Sequence, residues 1–259
     1  MRRRNRTTDV MAISEHELSA MTRDLDQIHN DVGMPAMESA VHEWSDRLRT
    51  SRRGFLLGAG AVAGGVVLAA CSSNSSSSTT TSTATGGSTT AKLTGDLAVA
   101  ALATSLENLA VAAYGDVLTA ATQGKLGTVP PAVATFVTTV KSQHAQHAAA
   151  WNGAIVAAGH KAVTAPDPVL VPVVTRDFAK VTDVTGAAQL ALMLEDIAAA
   201  TYQSAVSAVS ATSAIKVAAS IQPVEMQHAA ILNFVLGHYP VPNAFASTAL
   251  ARPVSDYTG

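Results

Sequence analysis

The chain has a single cysteine, Cys71, in 259 residues. No intramolecular disulfide can form, and no thiolate cluster exists to hold zinc or an iron–sulfur centre. Aromatic residues make up 4% of the sequence and charged residues 14%, with a formal net charge of −2. Few rings are available for stacking on bases and no basic surface is available for phosphates, which argues against nucleic acid as a partner. From Leu93 to the end there is no strand-like alternation, and glutamate occurs only at positions 107, 195 and 225. Glutamates serving solubility would be numerous and scattered, so three, each in a different apolar segment, call for another explanation.

Much of the first third is not domain sequence. Residues 72–92 are almost entirely serine, threonine and glycine, a low-complexity tether with nothing to bury. Before it, Gly54 to Ala70 is uncharged and apolar, preceded by Arg52 and Arg53 and followed at once by Cys71. It is short for a spanning helix and rich in glycine, as export signals are. Ser51, Arg52, Arg53, Phe55 and Leu56 resemble the twin-arginine export consensus, with Leu57 where a lysine is often found, and Leu68–Cys71 resembles a lipobox. That resemblance implies a bacterial signal over residues 51–70 and a lipid on Cys71. The domain after Leu93 would then lie on the extracytoplasmic face of the cytoplasmic membrane. An uncleaved signal anchor is the other reading. Residues 1–50, basic at the start and acidic afterwards, are read as a cytoplasmic leader arm.

Residues 93–259 read as an all-α domain of four alanine-rich helices. The first runs from about Asp96 to Gln123 and stops at Gly124, and the second begins at Pro130 and Pro131 and ends near Gly159. A proline-rich crossover through Ala165–Val174, without clear helix, leads to a third helix over about Asp183–Val209. A fourth follows from about Ala211 to Gly237. Helices this apolar around their circumference must pack on one another. Two hairpins joined by one long crossover are the connectivity of ferritin-like bundles, and a plain up-and-down bundle is the alternative. The halves repeat: "ENLAVAAY" at Glu107 matches "EDIAAATY" at Glu195, and "HAQHAAAW" at His144 matches "EMQHAAIL" at Glu225.

Residues three apart on a helix lie about 60° apart around its axis, so Glu225 with His228, and His144 with His147, can each reach one point. A glutamate from each of the other two helices completes a metal site inside the bundle. His160 and His238 sit at helix ends, where they suit the helix dipole better than a metal. On these residues the chain resembles the ferritin-like family of carboxylate-bridged di-iron and di-manganese bundles: Glu107, His147, Glu195, Glu225 and His228 follow its ligand order and spacing. The departure is His144, where the family pattern has a glutamate. Three carboxylates and three imidazoles carry less negative charge than the usual set, so one or two ions are open.

Tyr114 and Tyr202 each follow a glutamate by two helical turns. Either they orient a carboxylate by a hydrogen bond, or they are amphipathic core residues. Trp151 reads as packing. Pro223 lies inside the fourth helix, where a kink would help to aim Glu225. Oxygen and nitrogen ligands suit iron or manganese, and zinc fits too. If the domain turns over, the resemblance implies oxidation of Fe(II) by dioxygen or peroxide. The reading from another class is a non-catalytic envelope bundle in which the same residues form a buried polar network.

Overall fold

The computed structural model describes residues 11–67 and 92–256. Cys71 and residues 72–91 of the tether lie outside them. Seven α-helices occur among the described residues: α1 (Glu15–Ile28), α2 (Met34–Val67), α3 (Asp96–Thr122), α4 (Pro131–Ala157), α5 (Val171–Phe178), α6 (Val184–Ala208) and α7 (Thr212–Val235). There is no strand among the described residues.

The four long helices expected from the sequence are α3, α4, α6 and α7, each ending within two residues of its expected limits. α3 pairs with α4 and α6 with α7, and α3 packs on α6 to join the hairpins. This is the expected connectivity of two helix hairpins joined by a long crossover. α3 is long and apolar enough to cross a membrane, but its most apolar window is 72% buried inside the molecule, as befits a core helix.

The ends of the helices follow from local chemistry. Pro131 opens α4, where a missing N–H costs nothing. The Asp183 carboxylate accepts from Gly186 N at 2.8 Å to open α6. α4 and α7 close in the same way: Gly159 and Gly237 take φ of 85° and 79°. The next residue in each case, His160 or His238, donates its N–H back to Ile155 O or Asn233 O. Only glycine adopts that backbone freely, and the two histidines stand where the motif needs its last donor. Their likeness across the hairpins is therefore a matter of termination, and neither belongs to the interior cluster.

The crossover differs from expectation in holding α5. Pro172 falls in its first turn, where proline starts a helix instead of breaking one. Buried Asp167 orders the approach, accepting from Val169 N and Leu170 N at 2.9 and 2.8 Å, while its own N–H reaches Ser105 O on α3.

The larger difference is at the N-terminal side. Composition sets residues 1–50 apart as a leader arm, yet from Met11 onward they pack on the bundle. Ser14 opens α1 with a capping box closed by Glu17. A π-helical turn, His29–Gly33, then leads into α2. Both helices lie across α4 and α7. Leu18 and Leu25 join one core cluster with Phe136, Val140 and Leu232, and Met37 and Trp44 join another with Trp151, Ile155 and Ile221. Each such side chain, taken out of water, contributes roughly 1.5–3 kcal/mol.

Candidate metal centre

Six ionisable residues converge inside the bundle. α3 supplies Glu107, α6 Glu195, α4 His144 and His147, and α7 Glu225 and His228; every one is at most 2% exposed. The i,i+3 spacing does what the sequence suggests, turning both residues of α4 and both of α7 inward.

The six fall into two overlapping groups. Glu107, His144, His147 and Glu225 form one, and His144, Glu195, Glu225 and His228 the other. Within each group the ligand atoms lie within 4.8 Å of one another. His144 and Glu225 belong to both. His144 stands between the carboxylates of the two hairpins, with Nδ1 2.7 Å from Glu107 Oε2 and Nε2 3.2 Å from Glu195 Oε1. His228 Nδ1 lies 3.2 Å from Glu195 Oε2 and 3.3 Å from Glu225 Oε2.

His147 is different. Both of its ring nitrogens are buried without a hydrogen-bond partner, and so is Glu225 Oε1. Nδ1 and that oxygen are only 2.9 Å apart, close enough to attract but not aligned as donor and acceptor. Buried polar atoms left this way cost free energy unless something else satisfies them. A cation held between them would do so, and the donors present fit one.

The electrostatics are those of a mutually neutralising cluster. Burial alone would raise Glu107, but the His147 imidazolium beside it and the bond to His144 outweigh that and bring it down to about 2. Burial likewise disfavours charge on His147, and the Glu107 carboxylate overrides it, lifting the ring to about 9. His144 is raised well above the ordinary range against its burial by Glu225 and Glu195. Glu195, which burial alone would raise, is pulled well below its range by His144 and His228.

The two tyrosines are exchanged between hairpins. Tyr114 of α3 donates to Glu195 Oε1 of α6 at 2.5 Å, and Tyr202 of α6 donates to Glu107 of α3. Periodicity puts each tyrosine on the face of its own helix's glutamate, but the bond goes to the glutamate of the facing helix. Trp151 is more than packing: its indole N–H holds the Tyr202 hydroxyl at 3.0 Å. Both phenols are raised well above 10, by burial first and then by the carboxylates they face.

Three residues escape sequence reasoning. Gln143 Oε1 accepts from His228 Nε2 at 2.8 Å, fixing which nitrogen of that ring faces the carboxylates. Gln146 Oε1 lies 2.7 Å from Nε2 of His29 in the N-terminal arm. The His29 ring stands edge-on to that of His147, centroids 5.2 Å apart. A glutamine beside each histidine in "SQHAQH" is the one signal that could have pointed to such supports.

A two-hairpin helical bundle with a repeated carboxylate–imidazole core is thus defined by fold and site together. The ferritin-like domain family matches residues 95–238, more than half of the chain, and the chain belongs to that family. No curated protein and no solved structure matches it. The buried Glu/His cluster is compatible with metal binding.

Proposed function

We propose that this ferritin-like protein binds iron or manganese between its helices and is held by a lipid on Cys71 at the outer face of the bacterial cytoplasmic membrane. The observation that supports metal binding most is the pair of groups without a hydrogen-bond partner, His147 and Glu225 Oε1, 2.9 Å apart and buried. Glu107, Glu195 and Glu225 would neutralise the ion, and His144, His147 and His228 would complete its coordination. Oxygen and nitrogen donors without thiolate suit iron and manganese, and also accept zinc. Iron bound there would supply a one-electron Fe(II)/Fe(III) couple, for which dioxygen or peroxide would be the oxidant. Tyr114 and Tyr202 would keep the two single glutamates aimed at the ion, as outer partners of metal ligands do. The sequence features that support the location are Arg52 and Arg53 ahead of the apolar stretch and Leu68–Cys71 after it.

A second reading has its own observation. His144 and His228 find hydrogen-bond partners within the protein alone, as in a structural polar network. That network pairs His147 with Glu107 and Glu225 by charge but gives its ring nitrogens no aligned hydrogen bond, and the metal reading is preferred on that ground.

Elemental mass spectrometry of the full chain folded with iron and manganese supplied, beside a Glu225→Ala/His228→Ala control, tests it. One or two ions per chain, lost in the control, are expected. Metal-free protein in both preparations would leave the structural network. Cys71→Ala is expected to release the protein from the membrane or block its processing, and unchanged membrane retention and mobility would exclude the lipid.

A further inference from the structure

The N-terminal arm meets the bundle at the metal centre itself. His29 packs edge-on against the His147 ring, buried and with Nδ1 unpartnered. Asp26 Oδ1 accepts from Gln143 Nε2 at 3.4 Å, and Gln143 in turn holds His228. The arm therefore backs one histidine of α4 and one of α7. Leu18 helps to wall a small apolar cavity of about 40 Å³ that Tyr114 also lines.

The interface is specific along its whole length. Ala12 N donates to Val235 O at 2.8 Å at the end of α7. Glu15 accepts from Ala132 N at the start of α4, and Glu43 pairs with Lys216 Nζ at 3.0 Å. Trp44 stands edge-on to Trp151, centroids 5.9 Å apart, next to the indole that holds Tyr202. Gly153 lets α2 approach: a Cβ there would lie 3.1 Å from Val41 Cγ1.

We propose that residues 11–50 are the intramolecular partner of the α4–α7 face, a cover that closes the metal centre and slows the exchange of its ion. This rests on the metal reading above. It carries a topological consequence. One passage of the stretch 54–70 through a bilayer puts the arm and the bundle on opposite sides, so the covered centre belongs to a chain whose two parts share a compartment. The arm is then a working part of the centre before export, and crossing the membrane requires it to let go.

The test is a disulfide lock in the full chain. Val41→Cys/Gly153→Cys, with Cys71→Ser to remove the one native thiol, puts two sulfurs across the α2–α4 contact at a separation a disulfide can bridge. Val41→Cys/Gln189→Cys, whose second site is exposed on α6, is the mismatched control. In dilute protein under mild oxidant the first pair is expected to close within single chains and the control to stay open. After loading with Mn(II), the locked chain should lose the ion to EDTA at least several-fold more slowly than the same chain reduced. Leu25→Asp, which loosens the arm without touching the lock, should speed the loss while far-ultraviolet circular dichroism stays helical. A pair that closes no faster than the control, or equal loss from locked and reduced chains, overturns the cover. If no form takes up Mn(II), it is the metal reading that fails. Amide hydrogen exchange over residues 143–147 and 225–228 then decides the cover by itself: slower exchange in the locked chain supports it, and equal exchange overturns it.

Discussion

Tyr202 donates its hydroxyl hydrogen to Glu107, a residue 95 positions earlier on the facing hairpin. Its counterpart, Tyr114, does the same for Glu195 in the other direction. Each hairpin thus holds the other's glutamate, so the two halves cannot separate without breaking both tyrosine–carboxylate bonds. Tyr202→Phe is expected to cost about 1.5–3 kcal/mol in urea unfolding, the worth of a hydrogen bond to a charged group. Metal affinity, measured by competition with a chelator, should fall roughly 10–100-fold. Trp151→Phe removes the indole donor that supports the phenol and also shrinks a fully buried core side chain, so only metal affinity, expected between that of Tyr202→Phe and the parent, reads the support itself.

His144→Glu places a fourth carboxylate beside Glu107, Glu195 and Glu225. Without metal it replaces the imidazole that answers two of them, and destabilisation of about 3–5 kcal/mol is expected. With Mn(II) present the sign reverses, because added negative charge neutralises the ions better. Calorimetric melting with and without Mn(II) should show the variant below the parent in the first case and gaining more from the metal in the second.

The pH dependence of the metal-free protein follows from two residues. His147 is raised from 6.5 to about 9 in the folded state, so its contribution is complete below pH 6.5 and is lost as pH rises through about 9. Glu107 is lowered from 4.5 to about 2, so its contribution is complete above pH 4.5 and is lost as pH falls through about 2. Both operate between pH 4.5 and 6.5. Above that window metal-free stability should decline, while metal affinity should rise, because binding must displace protons from the imidazoles. The stabilisation conferred by Mn(II) is therefore expected to grow from pH 6.5 to 9, and a constant increment would exclude the scheme.

Pro223 lies inside α7, two residues before Glu225. It withholds one backbone hydrogen bond from the turn that carries this ligand. Pro223→Ala restores the donor, so unfolding free energy should stay level or rise while Mn(II) affinity falls. An affinity equal to the parent's would remove any role for the proline in aiming Glu225.

The bundle and its interior were legible because they rest on short-range regularities. Helix starts and stops are written at Pro131, Gly159, Asp183 and Gly237, and the inward pairs at 144/147 and 225/228 follow from one turn of helix. What escaped depends on contacts between segments far apart in the chain. The exchange of Tyr114 and Tyr202 between hairpins needs the distance between α3 and α6, which no periodicity contains. The supporting role of Gln143 needs His228 on another helix, and an amide side chain carries no spacing signature. The docking of residues 11–50 was hidden by their charge. α1 is acidic and exposed on one face and buries Leu18, Thr22 and Leu25 on the other, a stripe that means little until α4 and α7 are there to receive it.

The cluster of His144 and His147 against Glu107 and Glu195 gives the interior a balanced occupant even before any ion arrives: its own protons. If it takes up metal as proposed, the bundle would act as a small cation exchanger charged with hydrogen ions. Each ion would then have to displace protons, so loading would release acid and a fall in pH would favour the metal-free protein.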